Sequence, residues 1–232
     1  MLWPYLFRSV ASALHGSLDQ PALVMTAPNK QSSALRVIDL RDHQVDLSRG
    51  LGDLPELWYP NVPDWWTGGA RYLTSEETAK ARGKKSYPEE TNRYMVLETD
   101  TLLVPENAQG ALSEGELAER MDLQRSAVLH AAKASGLPFA LAIDSGHKSI
   151  HFVLSFTDSA DELRSFRQRA RINRVADLLG VVLGQLDLNV CRFFGRGWWA
   201  RFPYGYRAEQ GCLQQVLELG RPTTTRELLD WA

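Results

Sequence analysis

The pattern of apolar and polar positions changes near residue 93. Before that point, short apolar pieces such as residues 34–40 are separated by prolines, which predicts an irregular α/β layer over residues 1–92. After it the apolar pattern becomes regular. Residues 94–104 are rich in β-branched and apolar side chains and end at Pro105, which predicts a strand in the interior of a sheet. We therefore expect an N-terminal subdomain, 1–92, and a second region, 93–232.

The second region continues with a helix and a hairpin. Residues 113–135 carry apolar side chains at near-helical spacing after Ser113, which predicts a helix. Residues 139–144 and 150–156 predict two strands, and the polar segment between them predicts a turn that joins them as a hairpin.

A second long helix is expected to start after Asp158 or Ser159, either of which suits an N-cap, and to end near residue 183. Its arginines recur every three or four residues along one face, which fits either a solvated surface or a surface that binds a phosphate backbone. A short strand near residue 187 and another near residue 201 complete the pattern. The mixture of helices and strands predicts an α/β (α+β) fold.

Composition places the chain among ordinary globular proteins. It has 232 residues, of which 44% are hydrophobic and 23% charged, and no apolar run typical of a membrane span. The first residues are apolar but are interrupted by Pro4 and Arg8, unlike a secretory leader. Two cysteines cannot form a disulfide framework or a four-cysteine zinc site. We expect a cytoplasmic protein.

Charge neither favours nor excludes a nucleic-acid partner. The formal net charge is -2, so binding to DNA would need a local basic surface. The basic segment 79–86 fits either a solvated face or a phosphate contact. Trp58, Tyr59, Trp65 and Trp66 are more typical of a packing cluster than of a base-stacking platform.

Two acidic residues lie close together on the predicted strand 94–104. Glu98 and Asp100 are two positions apart, so their side chains project from the same face. Like charges this close repel unless a divalent cation or a proton neutralises them. Acidic pairs are also common on exposed strands, so the pair alone is weak support for a metal site.

The turn between the two hairpin strands carries groups that suit a triphosphate. Gly146 permits a tight turn, Lys148 supplies positive charge, Ser149 a hydroxyl and His151 a ring nitrogen. Taken separately, these residues also fit an ordinary polar turn followed by a buried structural histidine.

The order of these elements resembles the archaeo-eukaryotic primase-polymerase superfamily over roughly residues 94–217. Glu98-Thr99-Asp100 is similar to its acidic motif, and Ser145-Gly146 followed by Ser149-Ile150-His151 is similar to its Ser-x-His element. Leu186-Asp187 resembles its third motif, and Arg201-Phe202-Pro203 its Arg-x-Pro element. The first motif begins with Glu where members more often have Asp.

The resemblance implies a fold, an activity and a set of site residues. The fold would be an RRM-like antiparallel palm sheet backed by helices. The activity would be template-directed nucleotidyl transfer, as in a DNA primase or polymerase, by two Mg²⁺ or Mn²⁺ ions. The implied metal ligands are Glu98, Asp100 and Asp187; the implied nucleotide-binding residues are Ser145, Lys148, Ser149, His151 and Arg201; and the implied nucleic-acid-binding residues are Arg192, Arg196 and Arg207.

The expected partners are a single-stranded or primed DNA template and NTP or dNTP substrates. A helicase or a zinc-binding module, in trans or in a longer parent protein, would complete the machinery. Two alternatives stay open. One is a non-catalytic replication-initiator or nucleic-acid-binding module, and the other is a metal-dependent phosphodiesterase. The cations and aromatic residues that alternate over 192–207 fit nucleic-acid binding and packing equally well.

Overall fold

The computed structural model describes residues 3–43, 50, 54–63, 65–83, 93–98, 110–146, 149–159, 161–163, 192–194 and 199–231. They form an α+β fold, as the sequence predicts, with two five-stranded antiparallel sheets, one two-stranded antiparallel sheet and four helices. The helices are α1 (Trp3–His15), α2 (Ser75–Arg82), α3 (Glu114–Ala134) and α4 (Thr225–Trp231). The strands are β1 (Leu23–Ala27), β2 (Arg36–Asp39), β3 (Leu57–Tyr59), β4 (Arg71–Tyr72), β5 (Tyr94–Glu98), β6 (Leu141–Asp144), β7 (Ile150–Ser155), β8 (Arg192–Phe194), β9 (Ala200–Arg201), β10 (Tyr206–Arg207), β11 (Cys212–Leu213) and β12 (Gln215–Leu219).

The first sheet has the strand order β4-β2-β1-β3-β9. Because side chains alternate along a strand, its two faces bury different residues. Met25 and Val37 pack with Trp66 in one cluster, whereas Val24 and Ile38 face α1. Strand β9 pairs with β3, so a segment distant in sequence completes this sheet.

The second sheet has the order β12-β6-β7-β5-β8, with every neighbouring pair antiparallel. Alternation again separates two faces. Leu97 and Phe152 pack on the side of α3 and α4, together with Val128 of α3. Val96 and Val153 face the other way, into a core that contains α1 and residues of the first sheet. We call this the shared core, because it joins the two sheets.

The predicted helix 113–135 is confirmed as α3. Ser113 is its N-cap: the Ser113 hydroxyl accepts from the Glu116 N–H, and the Glu116 carboxylate accepts from the Ser113 N–H. This reciprocal pair satisfies backbone donors that the first turn would otherwise leave exposed. Gly136, at φ 72°, follows the helix in the left-handed region that glycine adopts without strain.

The two residues proposed as caps of the next helix have different partners. Ser159 accepts a hydrogen bond from the Glu162 N–H at 3.4 Å, and residues 161–163 are helical. Asp158 instead accepts from the backbone N–H and the hydroxyl of Thr225, at 2.8 and 2.6 Å, and so satisfies a backbone donor at the first residue of α4. The predicted continuation to residue 183, with its arginine stripe, lies outside the described residues.

Strand β5 and the β6–β7 hairpin are confirmed. Strand β5 is interior, since β7 and β8 flank it, while the predicted extension to residue 104 lies outside the described residues. Strand β6 begins at Leu141 rather than at residue 139. The predicted strand near residue 187 is also outside the described part of the chain, and the strand near residue 201 is present as β9.

The tryptophan-rich segment packs, as its composition favours. Trp58, Tyr59 and Trp66 are buried, so they do not form an accessible stacking platform. Trp65 is half-buried, with the Lys80 amine 4.5 Å from the ring centroid. Within the described ranges, no helix is long and apolar enough to cross a membrane.

Candidate active site

A group of buried polar residues lies at one end of the second sheet. His151 on β7 pairs in register with Glu98 on β5 and with Ile143 on β6. His151 lies two residues from Val153, and Glu98 two residues from Val96, so both project from the face that borders the shared core. This placement brings together two residues that the sequence assigns to different motifs.

Glu98 and His151 are direct neighbours. The His151 Nε2 lies 3.6 Å from the Glu98 Oε1, and their side chains are 5% and 18% exposed respectively. Arg192 on β8 lies opposite Glu98 on the other side in the strand register. A carboxylate in this position is largely shielded from solvent, which strengthens its interaction with any cation.

Ser145 and Ser149 lie beside this pair, where the β6–β7 turn begins and ends. The Ser145 N–H donates to the Ser149 carbonyl at 3.1 Å, and the two hydroxyl oxygens are 2.9 Å apart. Both side chains are buried. Two hydroxyls, a histidine and a carboxylate thus occupy adjacent positions on one face.

Gly146 sets the shape of the turn. Its φ is 75°, and a Cβ there would lie 2.5 Å from the Cys212 Sγ. Any side chain would therefore add both backbone strain and a steric clash. The Gly146 N–H donates to the Asp144 carboxylate at 2.8 Å, and the Cys212 thiol donates to the Gly146 carbonyl at 3.4 Å.

The antiparallel pair β10–β11 lies next to this turn. The Arg207 Nη1 donates to the Ser145 carbonyl at 3.5 Å. Burial lowers the pKa of Arg207, and the neighbouring Arg201 lowers the pKa further. The sequence assigned Arg207 to nucleic-acid binding, but the structure places it against the predicted nucleotide-binding turn.

A tight turn positions Arg207. Tyr204 adopts a positive φ of 62°, and its N–H donates to the Gln214 carbonyl at 2.7 Å. At Gly205, a Cβ would collide with the Pro55 carbonyl. The turn after Pro203 therefore redirects the chain from β9 in the first sheet towards the second sheet.

Arg201 is separated from this group by a structural ion pair. It lies on β9 of the first sheet, and its guanidinium pairs with the Glu56 carboxylate. The two side chains are 17% and 20% exposed. Arg201 is thus held by Glu56, although it is close enough to Arg207 to affect the pKa of Arg207.

Gln214 is a member of the group that the sequence did not reveal. Its Nε2 borders the turn, since it would lie 3.6 Å from a Cβ built at Gly146. Its side chain is fully buried, and neither of its amide atoms has a hydrogen-bond partner among the described residues. The Arg207 Nε is also buried without a hydrogen-bond partner among the described residues. Buried polar atoms in native proteins nearly always have partners, so these donors and acceptors mark a polar site. A glutamine before a strand gives no sequence signal of this kind.

The remaining predicted site residues lie outside the described ranges or are described only by their backbone. The first set is Asp100, Lys148, Asp187 and Arg196, and the second is Arg192. Among the described residues, three or more potential metal ligands do not cluster. Of the three predicted metal carboxylates, the structure describes Glu98.

No protein-family model matches this chain, and no curated protein matches it.

Proposed function

We propose that the protein is a template-directed nucleotidyltransferase of the primase-polymerase type. The observation that carries the proposal is the side-by-side placement of Glu98 and His151 on an interior pair of strands, with Ser145 and Ser149 in the next position. The order of these motifs along the chain, and the RRM-like arrangement of an antiparallel sheet backed by helices, support the same reading.

Glu98 is well placed to serve as a metal ligand. Its carboxylate is largely buried at the end of β5 and has an imidazole at 3.6 Å. Together with Asp100 and Asp187, which the motif resemblance adds, it would hold two divalent cations. Carboxylate oxygens are the ligands that Mg²⁺ and Mn²⁺ prefer. Bound ions of this kind lower the pKa of an attacking hydroxyl and stabilise a leaving pyrophosphate.

The β6–β7 turn would bind the triphosphate. Ser149 offers a hydroxyl and His151 a ring nitrogen. Lys148 would add positive charge, as the motif resemblance implies. Arg207 lies within hydrogen-bonding distance of the Ser145 carbonyl, so its guanidinium can compensate negative charge at the turn. Gln214 adds a further buried donor and acceptor. Together these groups hold and orient a phosphate chain while the surrounding core excludes water.

The acceptor would be a DNA strand on a single-stranded or primed template. Arg192 lies in register beside Glu98, and Arg196 follows it in the sequence. Phosphate contacts by arginine fix the register of a nucleic acid without reading its sequence. NTP or dNTP would be the second substrate, and a helicase or zinc-binding module would act in trans or belong to a longer parent protein.

Labelled-nucleotide incorporation by the purified chain tests the proposal. The chain is incubated with unprimed and primed single-stranded templates in magnesium or manganese. Wild type should extend the primed template, and Asp100→Ala should abolish extension while circular dichroism stays native. Glu119→Gln, which changes an exposed carboxylate on α3, is the matched control and should retain activity.

Each other outcome identifies a different function. Retained extension in Asp100→Ala would contradict the metal assignment. Template cleavage without extension would indicate a phosphodiesterase. DNA binding without either reaction, in both metals, would indicate a non-catalytic nucleic-acid-binding module.

A further inference from the structure

The β6–β7 turn is connected to the opposite face of the second sheet by one carboxylate. Asp144 ends β6 and pairs in register with Ile150, whose side chain packs in the cluster that includes α3. The Asp144 side chain therefore projects towards α3, while the next residue, Ser145, belongs to the polar group on the shared-core face.

Asp144 uses its two carboxylate oxygens for different purposes. The Oδ1 accepts a hydrogen bond from the Gly146 N–H at 2.8 Å, which fixes the direction of the chain through the turn. The Oδ2 lies 3.2 Å from the Nε of Arg125 on α3. Both side chains of that ion pair are 19% exposed, so the contact is largely shielded from water.

On the α3 side, the described residues leave open space beside this contact. A cavity of about 230 Å³ borders the ion pair, lined by Asp122, Arg125, Ser126, Leu129, Asp144 and Leu217. Arg125 also pairs with Asp122, which is far more exposed and makes no described contact with the turn. The Asp144 hydrogen bond therefore holds Gly146 from the α3 side of the sheet, whereas Cys212 and Arg207 contact the turn from the β10–β11 side.

We propose that Asp144, held by Arg125, is a positioning residue that keeps Ser145 and Gly146 in the conformation that binds the nucleotide triphosphate. This inference rests on the proposed nucleotidyltransferase function. Binding sites need their contacting groups held by a supporting layer of hydrogen bonds, and small displacements of those groups reduce affinity. Loosening of the turn should raise the KM for nucleotide more than it lowers kcat, since Asp144 faces away from the reacting groups.

Three variants separate the contributions of the two oxygens. Asp144→Ala removes both contacts. Asp144→Asn keeps an Oδ1 acceptor for Gly146 but removes the charge opposite Arg125. Asp122→Asn is the matched control, because it also removes a carboxylate partner of Arg125 but leaves the turn untouched.

The experiment measures amide hydrogen exchange at Gly146 by NMR, and separately the KM and kcat for dATP addition on an oligo(dT) template. Asp144→Ala should exchange faster at Gly146 and raise the KM about tenfold, as expected for loss of a hydrogen bond to a charged acceptor, with kcat within about twofold. Asp144→Asn should restore the KM to within about threefold of wild type. Asp122→Asn should match wild type in both measurements.

The results that would contradict this inference differ from those that would contradict the proposed function. Fast exchange at Gly146 in Asp144→Ala with an unchanged KM would overturn the positioning role while the polymerase assignment stood, and so would an Asp144→Asn variant as impaired as Asp144→Ala. A wild-type protein with a protected Gly146 amide that neither binds nor adds dATP would overturn the proposed function and this inference with it.

Discussion

The two sheets handle their polar residues differently. In the first sheet, charged side chains form ion pairs with one another. Burial raises the pKa of Asp39, but hydrogen bonds from Arg41 and from the backbone outweigh this effect and hold the pKa below its usual value. Arg201 forms an ion pair with Glu56. In the second sheet, polar residues gather at one end, and Gln214 is buried there without a partner among the described residues.

This difference distinguishes polar residues that stabilise the fold from polar residues that are available to bind a ligand. A buried polar group whose hydrogen bonds are made within the protein contributes to stability, and no ligand is needed to explain it. A group of hydroxyl, imidazole, carboxylate and amide side chains at one position, with unsatisfied atoms among them, costs stability unless it has another use. The end of the second sheet is therefore the part of the described molecule where we expect ligand chemistry.

The largest expected effect distinguishes two glutamates, one from each region. Glu98→Gln should reduce kcat/KM for nucleotide addition about a thousandfold, because the site loses a charged ligand. Glu56→Gln, which changes the ion-pair partner of Arg201, should leave kcat/KM within about threefold. Steady-state incorporation assays measure both variants, and equal losses would remove the distinction between the regions.

The Nε1 of Trp58, in the first sheet, also has no hydrogen-bond partner among the described residues. His43 is a further exception and tests the comparison. It is buried against Phe7 and Phe202, and neither ring nitrogen has a partner among the described residues. Burial lowers its pKa to about 4, with a smaller contribution from Arg36. It stands among aromatic rings rather than in a polar group, so we expect it to affect stability and not activity.

The sign of that effect follows from linkage. Since the folded-state pKa lies below the unfolded value of about 6.5, the contribution of His43 is complete above pH 6.5 and is lost as the pH falls through about 4. Unfolding free energy should decrease by on the order of 3 kcal/mol over this window from this residue alone. Urea denaturation at a series of pH values measures it, and His43→Phe should flatten the curve. An unchanged curve would show that another group titrates.

Gln214 should show opposite effects on stability and activity. Gln214→Leu removes a buried amide without a described partner, so the free energy of unfolding should rise by about 1 kcal/mol while nucleotide addition falls. Thr26→Val is the control in the first sheet. Its hydroxyl donates to the Arg36 carbonyl at 3.4 Å, so replacement should give no gain. Denaturant titration measures both, and a destabilised Gln214→Leu would indicate a structural amide.

The smallest expected effect concerns salt. Arg207 belongs to the polar group of the second sheet, whereas Arg201 is held by Glu56. Arg207→Gln should reduce the slope of log affinity against log salt for dATP, because the variant loses one of the cations that face the triphosphate. Arg201→Gln should leave the slope unchanged. A reduced slope for Arg201→Gln alone would assign the phosphate contact to the first sheet.

Local patterns predicted much of what the structure contains. Near-helical spacing after Ser113 predicted α3, and β-branched runs around a polar turn predicted the β6–β7 hairpin. Strand alternation also predicted that Glu98 and Asp100 share a face, a prediction that stays open because Asp100 lies outside the described residues. Long-range pairings escaped prediction: β9 is two residues long and joins the first sheet through β3.

The sequence by itself determined the order of the motifs and the α+β class, because these depend on residue type and near neighbours. Only the tertiary structure decided that His151 lies 3.6 Å from Glu98, that Arg201 is held by Glu56 and that Gln214 is buried beside the turn. Strand register and ion pairing between distant segments follow from how the whole chain packs, and packing is set by contacts that no local pattern contains.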